Sequence, residues 1–171
     1  MRCPCKGRIL AISGLYEGNA LQGVDAKGRV AIPAQFRTVI ERNAEGPDAR
    51  TIVVAKHPDL PCLRAYDTSW SQLNHERIDG REVAADDGAD YRRQKEQSFG
   101  NVDRAVFDPA GRFVLHGLLK RKAKIDDLAF FAGAGRTFNI WSPTVLLAAP
   151  EADAETREWC EYYLELRGAK A

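Results

Sequence analysis

The chain has 171 residues, 44% apolar and 29% charged, with a formal net charge of +1. That length and apolar share suit one compact domain with a buried core, possible as two halves. No apolar run is long enough to cross a bilayer, and near-neutrality alone says nothing in favour of a polyanionic partner.

The opening MRCPCKGRILAISG carries basic residues and only the brief apolar stretch Ile9 to Ile12. That is too short for a secretory signal, so a cytoplasmic protein is expected, and residues 1–14 read as an extension. A short strand is expected from near Leu15. The polar turn Asp25-Ala26-Lys27-Gly28 follows, then a strand carrying Val30 and Ile32 on one face, closed by Pro33. AQFRTVIER (34–42) spaces Phe36, Val39 and Ile40 as a helix does. TIVVA (51–55) and CLRAY (62–66) read as a β-hairpin. Residues 70–100 are polar, with Trp70, Leu73 and Ile78 as apolar anchors, and read as two helices.

The first order of elements then recurs. FDPAGRFVLH (107–116) matches VDAKGRVAIP (24–33), with Phe113 and Leu115 on the strand. GLLKRKAKI (117–125) reads as the helix, and LAFFAG (128–133) and TFNIW (137–141) as strands joined around Gly133 and Gly135. Asp25 aligns with Asp108, Gly28 with Gly111, Arg29 with Arg112, Ile32 with Leu115, Phe36 with Leu119 and Arg37 with Lys120. The extra length of the first half falls in the loops NAEGPDA and KHPDLP. EADAETREWCEYYLELRG forms a last helix, with Trp159, Tyr162, Tyr163 and Leu166 on one side.

Charge is segregated along the chain. Residues 1–42 hold seven Lys/Arg against three Asp/Glu, and residues 91–124 hold nine against three. Both basic blocks contain an Asp-x-x-Gly-Arg unit, so a neutral molecule can present one basic face. Within each unit, glycine suits a positive φ. The Asp carboxylate can accept from N–H groups just ahead, and the arginine leaves the turn on a strand. Pairing of Asp with Arg inside the loop and presentation of Arg or Lys27 to a phosphate are compatible.

Other chemistry finds little support. Cys-Pro-Cys at residues 3–5 lacks zinc-ligand spacing, and Cys62 and Cys160 sit among apolar neighbours as buried thiols. His57, His75 and His116 are scattered with no nucleophile or phosphate-loop signature around them, so no catalysis, metal or other cofactor is expected. A protein-interaction or structural module with a basic docking face is the alternative to nucleic-acid binding.

GLYEGNALQGVDAKGRVAIPAQFR closely resembles the N-terminal signature of the MraZ family of bacterial transcriptional regulators, and CLRAYDTSW, FDPAGRFVLHGLLKRKAKI and TFNIW fit its remainder. The resemblance spans roughly residues 14–147. It implies an α+β fold with a mainly β core: a double swapped-hairpin, AbrB-like β-barrel built from two internal repeats, with peripheral helices. The division expected is an extension (1–14), a first half (15–70), a helical linker (71–103), a second half (104–147) and a C-terminal helix (148–171). The resemblance also implies assembly into a ring, a nucleoid-associated protein, and double-stranded promoter DNA of the cell-division and cell-wall gene cluster as partner, with no small-molecule substrate. The positions carried over as DNA-binding are Asp25, Lys27, Gly28 and Arg29, then Asp108, Gly111 and Arg112. Lys27, Arg29 and Arg112 are the expected main contacts, with Arg37, Lys120, Arg121, Lys122 and Lys124 in support. The chain departs from the pattern at Ala110, which stands where the first unit has Lys27, and at His116, which stands where it has Pro33.

Overall fold

A computed structural model describes residues 14–82 and 88–168. The expected N-terminal extension with Cys3 and Cys5, apart from its last residue, lies outside the described residues.

The strands are β1 (Asn19–Gly23), β2 (Arg29–Ala31), β3 (Thr51–Lys56), β4 (Leu63–Asp67), β5 (Val102–Val106), β6 (Arg112–Val114), β7 (Leu128–Ala134) and β8 (Thr137–Trp141). The helices are α1 (Ala34–Asn43), α2 (Thr68–Glu82), α3 (Gly88–Lys95), α4 (Gly117–Lys122), α5 (Pro143–Ala148) and α6 (Ala154–Gly168). The fold is α+β with antiparallel pairing throughout. Six strands form one sheet in the order β1-β7-β8-β4-β3-β5, and β2 and β6 form a separate ribbon. The larger sheet has β1 and β5 at its edges, so its ladder is not a closed barrel.

The pairing order reads the same from either end when β1 is exchanged with β5, β3 with β7 and β4 with β8. The edge strands pair with strands distant in the chain: β1 lies beside β7, and β5 beside β3. A lone hairpin is marginal in water. Here the β3–β4 and β7–β8 hairpins are each extended by a strand from elsewhere and joined through β4 and β8, so six strands share one interior.

β-Branched and aromatic residues explain the burial. β3 is buried from Thr51 to Ala55, which suits a central strand covered on both faces. Ile52, Val54, Leu63, Ala65, Phe131, Phe138 and Ile140 point to an interior shared with Val30 and Phe113 of the ribbon, Phe36 and Ile40 of α1, and Leu119 of α4. Each Val, Leu, Ile or Phe among them contributes about 1.5–3 kcal/mol on full burial. On the opposite face, Phe130 and Trp141 are covered by Leu146 of α5 and Cys160 of α6, while α2 packs on β3 and β4. Burial pushes the Cys62 thiol up to about 12 and that of Cys160 up to about 11, as expected for buried thiols.

Several boundaries differ from the sequence expectation. Near Leu15 there is only an isolated bridge from Tyr16 to Gly135, and the first strand begins at Asn19. The helix expected over 117–125 ends at Lys122, because Lys124 takes a positive φ of 52°. Lys124 N–H then donates to Arg121 and Ile125 N–H to Lys120, a Schellman-type closure that stops the helix. Of the four α6 residues expected on one side, Tyr163 packs inward with Cys160 and Leu164, whereas Trp159, Tyr162 and Leu166 are exposed.

Candidate nucleic-acid interface

The two Asp-x-x-Gly-Arg turns have the same hydrogen bonds. In the first, Asp25 Oδ1 accepts from the N–H groups of Lys27 and Arg29, each at 2.9 Å, and Gly28 N–H donates to the Asp25 carbonyl at 2.9 Å. In the second, Asp108 Oδ1 accepts from Ala110 and Arg112 N–H at 2.9 Å, and Gly111 N–H donates to the Asp108 carbonyl at 2.8 Å. Gly28 and Gly111 hold φ of 76° and 82°, where a Cβ costs about 1–2 kcal/mol. The turn is therefore local: carboxylate, glycine and their spacing define it.

Each aspartate also takes its arginine. Arg29 Nε donates to Asp25 Oδ2 at 2.6 Å, and Arg112 Nε to Asp108 Oδ2 at 2.9 Å. These bonds hold both carboxyls below their ordinary value: chiefly the backbone N–H of Arg29 for Asp25, and that of Arg112 for Asp108. The pairing expected inside each loop is thus present in both. It engages the Nε edge of each guanidinium. Five donors per arginine leave the terminal nitrogens for another acceptor. The side chains are 47% exposed for Arg29 and 56% for Arg112.

Tertiary structure decides where the arginines stand relative to one another. β2 and β6 pair antiparallel with Arg29 opposite Val114, Val30 opposite Phe113 and Ala31 opposite Arg112. Gly28 carbonyl accepts from Leu115 N–H at 2.9 Å, and Gly111 carbonyl from Ile32 N–H at 2.8 Å, so each turn ties off the other strand. Val30 and Phe113 point into the core. Alternation then places Arg29, Ala31, Arg112 and Val114 together on the outer face. In this register the two arginines are diagonal neighbours, about 7–8 Å apart at their backbones. The turns themselves sit at opposite ends of the ribbon, with Lys27 exposed in the first and Ala110 in the second.

Arg37 is placed differently from the other site candidates. It reaches from α1 across to the second turn, where Nη1 donates to the Pro109 carbonyl at 3.4 Å. Its stem lies so close over Gly111 that a Cβ there would come within 2.3 Å of Arg37 Cδ. Lys120 is half-buried, while Arg121, Lys122 and Lys124 are exposed around the end of α4. His116 adopts φ −53° and ψ 129°, close to the −51° and 139° of Pro33, and its Nδ1 accepts from Leu118 N–H at 3.2 Å. The histidine supplies an N-terminal cap for α4 where proline supplies a preset backbone for α1.

One buried polar centre escapes the sequence reading. Asp67, 1% exposed, accepts from Tyr16 Oη at 2.6 Å and Asn43 Nδ2 at 3.0 Å, and caps α2 through the N–H groups of Ser69 and Trp70. Burial first, then the neighbouring Asp67 charge, pushes the Tyr16 hydroxyl far above its usual value. The signal was Asp67 just before Thr68-Ser69, a helix-start pattern.

Among the described residues no cluster of three or more His, Cys, Asp and Glu side chains is placed to hold a metal ion, and no helix is long and apolar enough to cross a membrane. Comparison with known proteins gives a consistent set of relatives. The chain is 34% identical over 143 residues to the transcriptional regulator MraZ of Gluconacetobacter diazotrophicus, covering 84% of this chain and 86% of that protein. It is 33% identical over 144 residues to the MraZ regulator of Ruegeria sp., covering 82% and 84%. It is 36% identical over 137 residues to that of Xanthobacter autotrophicus, covering 79% and 82%. No family model matches the chain.

Proposed function

The chain belongs to the MraZ family of transcriptional regulators, and from that premise we propose that it regulates transcription by binding double-stranded promoter DNA through the outer face of the β2–β6 ribbon. The observation that carries this reading is the shared face of Arg29 and Arg112, each pinned by its aspartate with terminal nitrogens to spare. A pinned guanidinium loses less freedom on binding than a loose one, so affinity per contact rises. The DNA major groove admits a two-stranded ribbon. Lys27 adds a phosphate contact at one end, and the exposed Val114 offers an apolar surface to a thymine methyl. Gly28 and Gly111 shape the turns, Asp25 and Asp108 orient the arginines, and Arg37 buttresses the second turn. Arg121, Lys122, Lys124 and Lys120 are the supporting cations.

In this reading the two halves, residues 15–70 and 104–147, are repeats that interlock as AbrB-like swapped hairpins. Residues 71–103 are the linker between them and 148–171 the C-terminal segment. One ribbon neutralises few phosphates and binds weakly alone. Copies arranged head to tail in a ring would present the face in series and suit repeated promoter elements, with affinity gained through effective concentration. The targets proposed are those of the cell-division and cell-wall gene cluster, which places the protein on the nucleoid.

Fluorescence anisotropy with the DNA upstream of the protein's own gene tests the site. Arg29→Glu or Arg112→Glu is expected to weaken binding by about tenfold or more, with unchanged circular dichroism. Undiminished binding by a folded double variant would remove the ribbon from the interface. Binding that shows no preference over random DNA would favour a basic docking face for another partner.

A further inference from the structure

A second basic surface lies away from the ribbon arginines, in a cleft of about 550 Å³ between β3–β4, the helices α2 and α3, and the end of α4. That size is within the range of small-molecule sites. Four cations from four elements line it: Lys56 of β3, Arg64 of β4, Arg77 of α2 and Lys122 of α4. Among the described residues no Asp or Glu lines it, although the chain has 24 acidic residues for 25 basic ones. Among the described residues, none of the four cations has an ion-pair partner.

Two of the lining residues carry unpaired donors. Arg64 Nε and Trp70 Nε1 are buried with no hydrogen-bond partner, and leaving such groups unmade is unfavourable. Arg77 is held over the Trp70 ring, 5.7 Å from its centroid. His57 Nδ1 accepts from the N–H groups of Asp59 and Leu60, which leaves Nε2–H as the imidazole donor. Burial, then the Arg64 charge, lower the His57 pKa, with Lys56 adding to this and the nearby Asp59 carboxylate opposing it. The amides of Asn74 and Gln94 add neutral polar contacts.

Four convergent cations without ion-pair partners among the described residues suit an anion of more than one charge with several acceptor oxygens. We propose that this cleft binds a small phosphorylated metabolite, its phosphate among Arg64, Arg77, Lys56 and Lys122 and its polar remainder against the amides. Neither Arg29 nor Arg112 lines the cleft, so the proposal does not rest on the ribbon arginines; Lys122, a supporting cation in the DNA-binding reading, is shared by the two. A bound ligand would tie α2 and β4 to α4, the helix that follows strand β6.

Isothermal titration calorimetry with inorganic pyrophosphate, at ionic strength held constant with sodium chloride, tests this on the full chain. Saturable binding at or below millimolar dissociation constant is expected. Lys122→Gln and Arg77→Gln, both at exposed positions, should each weaken it by about tenfold, and Arg64→Gln by more. Arg29→Gln combined with Arg112→Gln should leave it unchanged. The proposal falls if pyrophosphate gives no binding up to about 10 mM. It also falls if the Lys122 and Arg77 variants bind as the parent does, or if only the ribbon variant loses binding, since the anion would then sit on the other face.

Discussion

The two Asp-x-x-Gly-Arg turns share their hydrogen bonds but not their surroundings. The first turn carries Lys27, is followed by Pro33, and has no arginine laid across it. The second carries Ala110, is followed by His116, and lies under Arg37. A Cβ on Gly28 would meet only the Leu115 carbonyl at 3.4 Å, whereas one on Gly111 would drive into Arg37 at 2.3 Å. Identical local chemistry has thus been built into two different settings. The turn itself is indifferent to its neighbours, and the neighbours decide what each turn tolerates and presents.

Gly111→Ala probes that difference most severely. Both Gly28→Ala and Gly111→Ala carry a left-handed backbone penalty of about 1–2 kcal/mol. Gly111→Ala additionally unseats Arg37, so urea denaturation should show it to be the more destabilising. Adding Arg37→Ala should remove that excess, and equal losses for the two glycine variants would show that the Arg37 contact carries no weight.

Exchanging the lysine between the turns sharpens the comparison for binding. Lys27→Ala should weaken promoter binding about fivefold near 0.15 M salt and reduce the salt slope by about 0.9, the value of one phosphate contact. Ala110→Lys should give a change of similar size in the opposite direction. A slope unaltered in both variants would place the turn tips away from the DNA.

His116 offers a smaller effect. His116→Ala removes the α4 cap and should cost about 1 kcal/mol in thermal or urea unfolding. His116→Pro loses the same bond but presets a φ the site already holds, as Pro33 does in the first half, and should recover most of that loss. If proline is as damaging as alanine, the two strand ends are not interchangeable.

Acid should affect both turns together. Asp25 and Asp108 have folded-state pKa values below the ordinary 3.8. Their contribution is therefore complete above that pH and is lost as pH falls through the depressed folded values. Chemical shifts of the Arg29 and Arg112 Nε–H groups should move in that window. A transition near neutral pH would point to another group.

Much of this fold is legible from residue order. Asp, Gly and Arg at fixed spacing specify a turn because the carboxylate reaches only N–H groups a few residues ahead. TIVVA and LAFFAG announce buried strands because both faces are apolar. Boundaries were less legible where a single backbone conformation decides them, as at Lys124, which ends α4 in place of a glycine. The outward aromatic side of α6 was also hidden, since helical spacing gives a face and not its direction.

By itself the sequence determined the two turns, the hairpins and the candidate basic residues, since each depends on contacts within a few residues. Only the tertiary structure decided that β1 pairs with β7 and β5 with β3, and that Arg29 and Arg112 share one face. It also decided that Arg37 lies over a turn 74 positions away in the chain. Those relations depend on strand register and on which surfaces bury together, and neither is encoded in any local stretch.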